Sequence, residues 1–130
     1  MRTMATMVVK TVPIAKGRPR FSRHAYTPPK TEEYEKLIAS SWDGGMVDGK
    51  HLMATMRFGM PIPKSWSKDR QRLSVGKMHE SKPDLDNLVK AVLDGLNGVA
   101  FDDDAKIAAF MAEKIYAVEP FVEVTISGWK

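Results

Sequence analysis

The segment "KPDLDNLVKAVLDGLNG", residues 82–98, restricts the possible folds more than any other part of the chain. Its apolar residues fall at 85, 88, 89, 92, 93 and 96. This is the i, i+3, i+4, i+7 spacing that lines one face of an α-helix, and Gly98 is a suitable stop. An apolar stripe of that kind is stable in water only when another layer covers it. The rest of the chain must therefore supply a surface for this helix to lie on.

Strands are the natural source of that surface. Residues 51–63, "HLMATMRFGMPIP", alternate Leu52, Ala54, Met56, Phe58 and Met60 with His51, Thr55, Arg57 and Gly59, and close on Pro61 and Pro63. Such alternation is the mark of a half-buried strand. "TMVVKTVPI", residues 6–14, is rich in β-branched residues and reads as a strand ending near Pro13. "KIAAFMAEKIYAVE" and "FVEVTISGWK" read as two more strands, joined at Glu119 and Pro120. A second helix is expected from "TEEYEKLIASSW", with Thr31 as N-cap, Glu32 and Glu33 at the positive end of the dipole, and Tyr34, Leu37 and Ile38 as its buried stripe. Residues 16–30, with Gly17, Pro19, Pro28 and Pro29, read as a loop. Residues 64–81 are polar, with one short helix near 68–73.

The order is strand, helix, strand, helix, strand, strand. With two main helices and about four strands, a small α+β domain (a mixed α/β layer) is expected. A chain of 130 residues is one domain, here residues 1–130. It is long enough to bury about two thirds of the surface its unfolded form exposes. The absence of cysteine excludes disulfides and thiolate metal sites. With no apolar run of membrane-spanning length and no secretory leader pattern at the N-terminus, a cytoplasmic location and no membrane partner are expected.

Charge is unevenly placed along this chain of net charge +4. Residues 10–30 carry Lys10, Lys16, Arg18, Arg20, Arg23 and Lys30 and no acid, and residues 64–82 are mostly basic. Six aspartates crowd into residues 82–104 instead: Asp84, Asp86, Asp94, Asp102, Asp103 and Asp104. Each part has an ordinary reading. Asp84 or Asp86 caps a helix, Lys90 is an i+4 partner of both Asp86 and Asp94, and three acids in a row form a solvated turn. Together they offer hard oxygen ligands from two elements, in a return of the chain expected to bring Asp84 and Asp86 toward Asp103 and Asp104. Magnesium takes one or two carboxylates plus water and phosphate oxygens, and a divalent cation would relieve the repulsion within the cluster.

Other metal readings fail on spacing. An EF-hand loop begun at Asp84 would place Val89 where glycine is required and Gly95 where glutamate is required. His24, His51 and His79 share no zinc-like spacing. Basic segments that collect a phosphate backbone, combined with carboxylates that hold a metal and activate water, describe a metal-dependent phosphodiesterase acting on nucleic acid. Lys16, Arg18, Arg20 and Arg23, with Phe21 and Tyr26 interleaved, form a basic loop suited to backbone contacts. Lys77 and Lys82 lie nearer the acids.

"KPDLDNLVKAVLDGLNG" followed by "DDDAKI", with "KGRPRFSR…YTPPKTEEYE" and "MPIPKSWSK" upstream, resembles the RusA family of Holliday-junction resolvases (crossover junction endodeoxyribonucleases), especially its phage and prophage members. The resemblance runs from about residue 13 to residue 107. It implies a magnesium-dependent endonuclease, with manganese as a substitute, that nicks branched DNA as a homodimer. It implies further that Asp84, Asp86 and Asp104 are the catalytic, metal-holding acids, with Asp103 an accessory ligand. Lys90 is then the lysine that reaches the scissile phosphate, and Asp94 orients it. The chain departs from the family at Lys106, where glutamine is frequent. Two other readings stay open on the residues. "PD" at 83–84 and "DAK" at 104–106 also spell the PD-(D/E)xK nuclease signature. A branched-DNA-binding module whose acids merely cap and solvate would carry the same charges.

Overall fold

The alternation in residues 51–63 produces the central strand of the molecule. The computed structural model describes residues 2–16, 20–21, 25–26 and 29–129. Its elements run β1 (Arg2–Val9), β2 (Arg20–Phe21), β3 (Ala25–Tyr26), α1 (Pro29–Ser41), β4 (His51–Pro61), α2 (Lys68–Ser74), α3 (Leu85–Leu96), a 3-10 turn (Asp104–Lys106), β5 (Ile107–Ala117) and β6 (Phe121–Trp129). β2 and β3 pair only with each other. The other strands form one sheet in the order β1-β6-β4-β5. This is the expected α+β domain in the expected order, with α2 in the place of the short helix.

β6 is antiparallel to both β1 and β4, whereas β5 is parallel to β4. A parallel pair needs a long crossover, and residues 62–106, which contain α2 and α3, provide it. Leu52, Ala54, Met56, Phe58 and Met60 all point to one face and are buried. Val122, Val124 and Ile126 of β6 join them, with Met7 and Val9 of β1. Leu88, Val92 and Leu96 of α3 and Tyr34 and Ile38 of α1 close the layer from above. Fully burying one such side chain is worth about 1.5–3 kcal/mol.

Three local expectations change. β1 stops at Val9 and not near Pro13, because its partner β6 begins at Phe121 and the register ends at Val9↔Val122. α1 starts at Pro29, two positions before Thr31, which is buried within the first turn and is not the N-cap. Proline suits that place, since its missing N–H is one of the donors a helix start leaves unpaired anyway. Leu37 lies on the flank of α1 at 39% exposure, and Thr31, Tyr34 and Ile38 form the buried stripe.

α3 lies close against α1. A Cβ on Gly95 would sit 3.1 Å from the Glu35 carbonyl and 3.2 Å from the Ile38 Cβ, so a side chain there would push the two helices apart by a few tenths of an ångström. Beyond α3, Gly98 adopts φ +80, the left-handed conformation that ends a helix sharply. Its N–H donates to the Phe101 carbonyl, and the Ala100 N–H donates to the Leu96 carbonyl. That tight turn delivers the three aspartates to the start of β5.

Candidate functional site

The mouth of α3 carries the first pair of acids. Asp84 occupies the N-cap position with an extended backbone (φ −67, ψ 141), yet its side chain makes no capping hydrogen bond. The carboxylate instead accepts from Lys82 Nζ at 2.8 Å. The Lys82 hydrogen bond and charge, with a smaller contribution from Lys114, hold the Asp84 pKa below the usual carboxylate range. Asp86, exposed in the first turn, makes no hydrogen bond or ion pair among the described residues. Both carboxylates face the positive end of the helix dipole, which favours anions.

Farther along α3, Lys90 Nζ lies 3.3 Å from Asp94 Oδ1, and Asp94 Oδ2 lies 3.0 Å from Lys16 Nζ. Lys16 also donates to Glu35 Oε1 at 2.6 Å, and its backbone N–H donates to the Asn87 carbonyl at 2.9 Å. Burial by itself lowers the Lys16 pKa, but the hydrogen bonds to Glu35 and Asp94 outweigh it and raise the value above 10.5. The ammonium expected to contact DNA is therefore taken up by two carboxylates. It ties the start of the basic loop to α1 and α3.

The second acid group lies at the far end of α3. Asp102 pairs with Lys106 at 2.9 Å. Asp103 caps the 3-10 turn by accepting from the Ala105 N–H at 3.0 Å. That bond, with a hydrogen bond shared with the Asp104 carboxyl, lowers the Asp103 pKa. Asp104 is half-buried beside it. A helix of this length spans about 18 Å, so one chain keeps Asp84 and Asp86 apart from Asp103 and Asp104. The expected convergence does not occur within a single chain, and among the described residues no three His, Cys, Asp or Glu side chains are grouped to hold a metal.

The basic candidates divide. Lys77 and Lys82 are both exposed, and Lys82 lies against Asp84 of the first acid pair. Arg18 and Arg23 lie outside the described residues, and Arg20 is described only as backbone of β2, paired with Tyr26. Lys106 is held by Asp102, and Asp84 opens a helix. Both facts disfavour the PD-(D/E)xK alternative, whose acids lie on adjacent strands.

Sequence reasoning missed Lys114. Its Nζ donates to the Ser81 carbonyl at 2.6 Å and the Pro83 carbonyl at 2.7 Å. A signal was present: period 2 from Ala112 and Tyr116 puts a lone lysine on the covered face of β5, and such a charge requires partners. Also missed was the aromatic row beside it, in which the Arg70 guanidinium lies 3.7 Å over Trp66, and Tyr116 stands 5.3 Å from Trp66 and 4.8 Å from His79.

Comparison with known proteins bears on this arrangement. The chain is similar to the uncharacterized protein YqaN of Bacillus subtilis (strain 168), with 33% identity over 126 residues that span 88% of this chain and 89% of the relative. Residues 10–127 match the family described as Endodeoxyribonuclease RusA. That match takes in both acid groups, Lys90 and the basic loop, and the chain belongs to the RusA family of Holliday-junction endodeoxyribonucleases.

Proposed function

We propose that this protein is a magnesium-dependent, structure-selective endonuclease that resolves four-way DNA junctions by paired symmetric nicks. The observation that carries the reading is the mouth of α3, where exposed Asp84 and Asp86 stand between the cations Lys82 and Lys90. Magnesium binds through one or two carboxylates, with water and phosphate oxygens completing its shell. Asp84, kept ionised by Lys82, and Asp86, free of protein partners among the described residues, form a donor set of that kind. Manganese suits the same oxygen ligands. When bound, the metal supplies an activated water and offsets charge on the scissile phosphate.

The chain's own residues do the remaining work. Lys90 approaches the scissile phosphate from the first turns of α3, steadied by Asp94. Lys77, Lys82, Arg18, Arg20 and Arg23 contact the backbone of branched DNA, and Lys16 anchors the start of the loop that carries the three arginines. The DNA of a bacterial cell places this activity in the cytoplasm. No helix among the described residues is long and apolar enough to cross a membrane.

Asp103 and Asp104 join the metal site from a second copy. One chain keeps the two acid groups about a helix length apart, and a C2 dimer matches the twofold symmetry of the junction. β5 is the strand that allows it. It is an edge strand, and Phe110 and Met111 are 59% and 71% exposed. Antiparallel pairing with β5 of a partner would carry the Ile107 end of one strand to the Lys114 end of the other. Asp103 and Asp104 of one copy then approach Asp84 of its partner.

A nicking assay on a synthetic four-way junction tests the proposal. Wild type nicks with magnesium and not with chelator, and Asp86→Asn and Asp104→Asn each fall to background. Mixing and re-annealing the two inactive variants restores about a quarter of wild-type nicking, since half the dimers are mixed and each of those holds one intact site. No recovery on mixing would remove the shared site. Absence of magnesium-dependent nicking by wild type would leave the DNA-binding module as the reading.

A further inference from the structure

Residues 76–84 run from α2 to the mouth of α3, and the first of them, 76–79, are held along the outer edge of β5 as a strap. The Gly76 N–H donates to the Tyr116 carbonyl at 2.9 Å, the Tyr116 N–H to the Lys77 carbonyl at 3.0 Å, and the His79 N–H to the Lys114 carbonyl at 3.0 Å. Met78 forms an antiparallel bridge with Ile115. The His79 ring is buried and lies 4.8 Å from Tyr116. These backbone bonds end at His79, five residues before Asp84. Residues 80–83 have left the β5 edge and do not yet belong to α3.

Lys114 ties that interval to the sheet. From β5, in register with the buried Phe58, it directs its ammonium to the Ser81 carbonyl at 2.6 Å and the Pro83 carbonyl at 2.7 Å. Both acceptors are main-chain atoms, so the contact fixes the path of the backbone and does not depend on which side chains occupy the turn. Pro83 is the residue immediately before Asp84. Charge-assisted hydrogen bonds are short and about twice as strong as neutral ones. The lysine stem is half-buried, which limits the rotamer freedom lost on making them.

We infer that Lys114 is a positioning residue for the metal site: by clamping the carbonyls of Ser81 and Pro83 it sets the direction in which the Asp84 carboxylate leaves the helix mouth. This rests on the reading of Asp84 as a metal ligand. Outer partners that orient a ligand are worth 10–100-fold in metal affinity or activity. Lys114 touches neither metal nor DNA, so its loss is read in metal affinity and not in DNA affinity. Arginine reaches the same two carbonyls with several donors, and methionine keeps the stem without any.

The experiment compares wild type, Lys114→Met and Lys114→Arg as full-length chains. Manganese binding is followed by the loss of the free-ion electron paramagnetic resonance signal. Amide hydrogen exchange is followed in residues 76–88, junction affinity is measured in chelator, and nicking is measured against magnesium concentration. Lys114→Met is expected to bind manganese 10–100-fold more weakly and to need correspondingly more magnesium for half-maximal nicking. Exchange should quicken in residues 80–86 while the strap stays protected, and junction affinity should stay within about twofold. Lys114→Arg is expected to recover most of the manganese affinity. Unchanged manganese affinity in Lys114→Met, with exchange in the turn quickened or not, overturns the inference. So does an equal loss of junction affinity in chelator, which would make Lys114 a DNA contact. Wild type that neither binds manganese nor nicks overturns the functional reading itself, and the exchange data then still report whether the clamp holds the turn.

Discussion

At the scale of single residues, the charge of Lys16 is balanced by partners remote in sequence. Lys16 meets Glu35 on α1 and Asp94 on α3, all three side chains about four-fifths buried. Replacing it with methionine keeps the stem and strands two carboxylates that face each other. Lys16→Met should cost about 2 kcal/mol, the scale of a hydrogen bond to a charged group, measured by urea denaturation. The pH dependence follows from the raised lysine pKa. The stabilisation is present in full below the unfolded value near 10.5 and is lost as pH rises through the higher folded value. The gap between wild type and variant should therefore be constant from neutral pH to about pH 10 and narrow above it. A gap that closed near neutrality would mean the ion pairs are not its source. The placement of Asp84 and Asp86 at the mouth of α3 was legible from residues because the D-x-D pair and the helix period sit within one short window. The ion pairs of Lys16 were not legible, because its two partners lie 19 and 78 positions away and local charge counting cannot see them.

At the scale of elements, α3 shows why periodicity reads well and boundaries read badly. Its apolar stripe is a local property of the sequence, and the helix forms over the expected residues. The start of α1 and the end of β1 are not marked by periodicity: one is set by proline at the first turn, the other by where β6 begins. β5 contains enough alanine and glutamate to suit a helix, and pairing with β4 overrides that propensity. The packing of α3 on α1 is itself testable at Gly95. An alanine there gains up to about 1 kcal/mol of helix propensity. Its methyl would meet the Glu35 carbonyl at 3.1 Å, a backbone atom that cannot rotate away. Overpacking of this sort costs about 1–3 kcal/mol, so Gly95→Ala should be a net loss of about 1 kcal/mol by chemical denaturation. A stabilised variant would show that the helices separate readily, and with them the frame that holds Lys90 and Asp94.

At the scale of the whole molecule, the proposed catalytic assembly depends on what meets the edge of β5 ahead of Lys114, the part that residues 76–79 do not cover. Unpaired edges with apolar side chains invite another strand, and here Phe110 and Met111 are both more than half exposed next to the second acid group. The spacing of the aspartates along the chain suggested that they meet, and could not reveal that a rigid helix keeps them apart within one copy. Whether they meet across two copies is a property of the assembly. Charged side chains on an edge strand oppose strand addition, so Phe110→Lys with Met111→Glu should leave the fold intact while separating the copies. The core beneath is made by residues such as Phe58 and Val92 that neither substitution touches, so circular dichroism and thermal unfolding should change little. Light scattering after size-exclusion chromatography should give the mass of two chains for wild type and of one for the variant. Magnesium-dependent nicking should be lost with the dimer. A monomeric variant that still nicks would return the whole metal site to Asp84 and Asp86 of a single chain, and a variant that stays dimeric would move the interface away from β5.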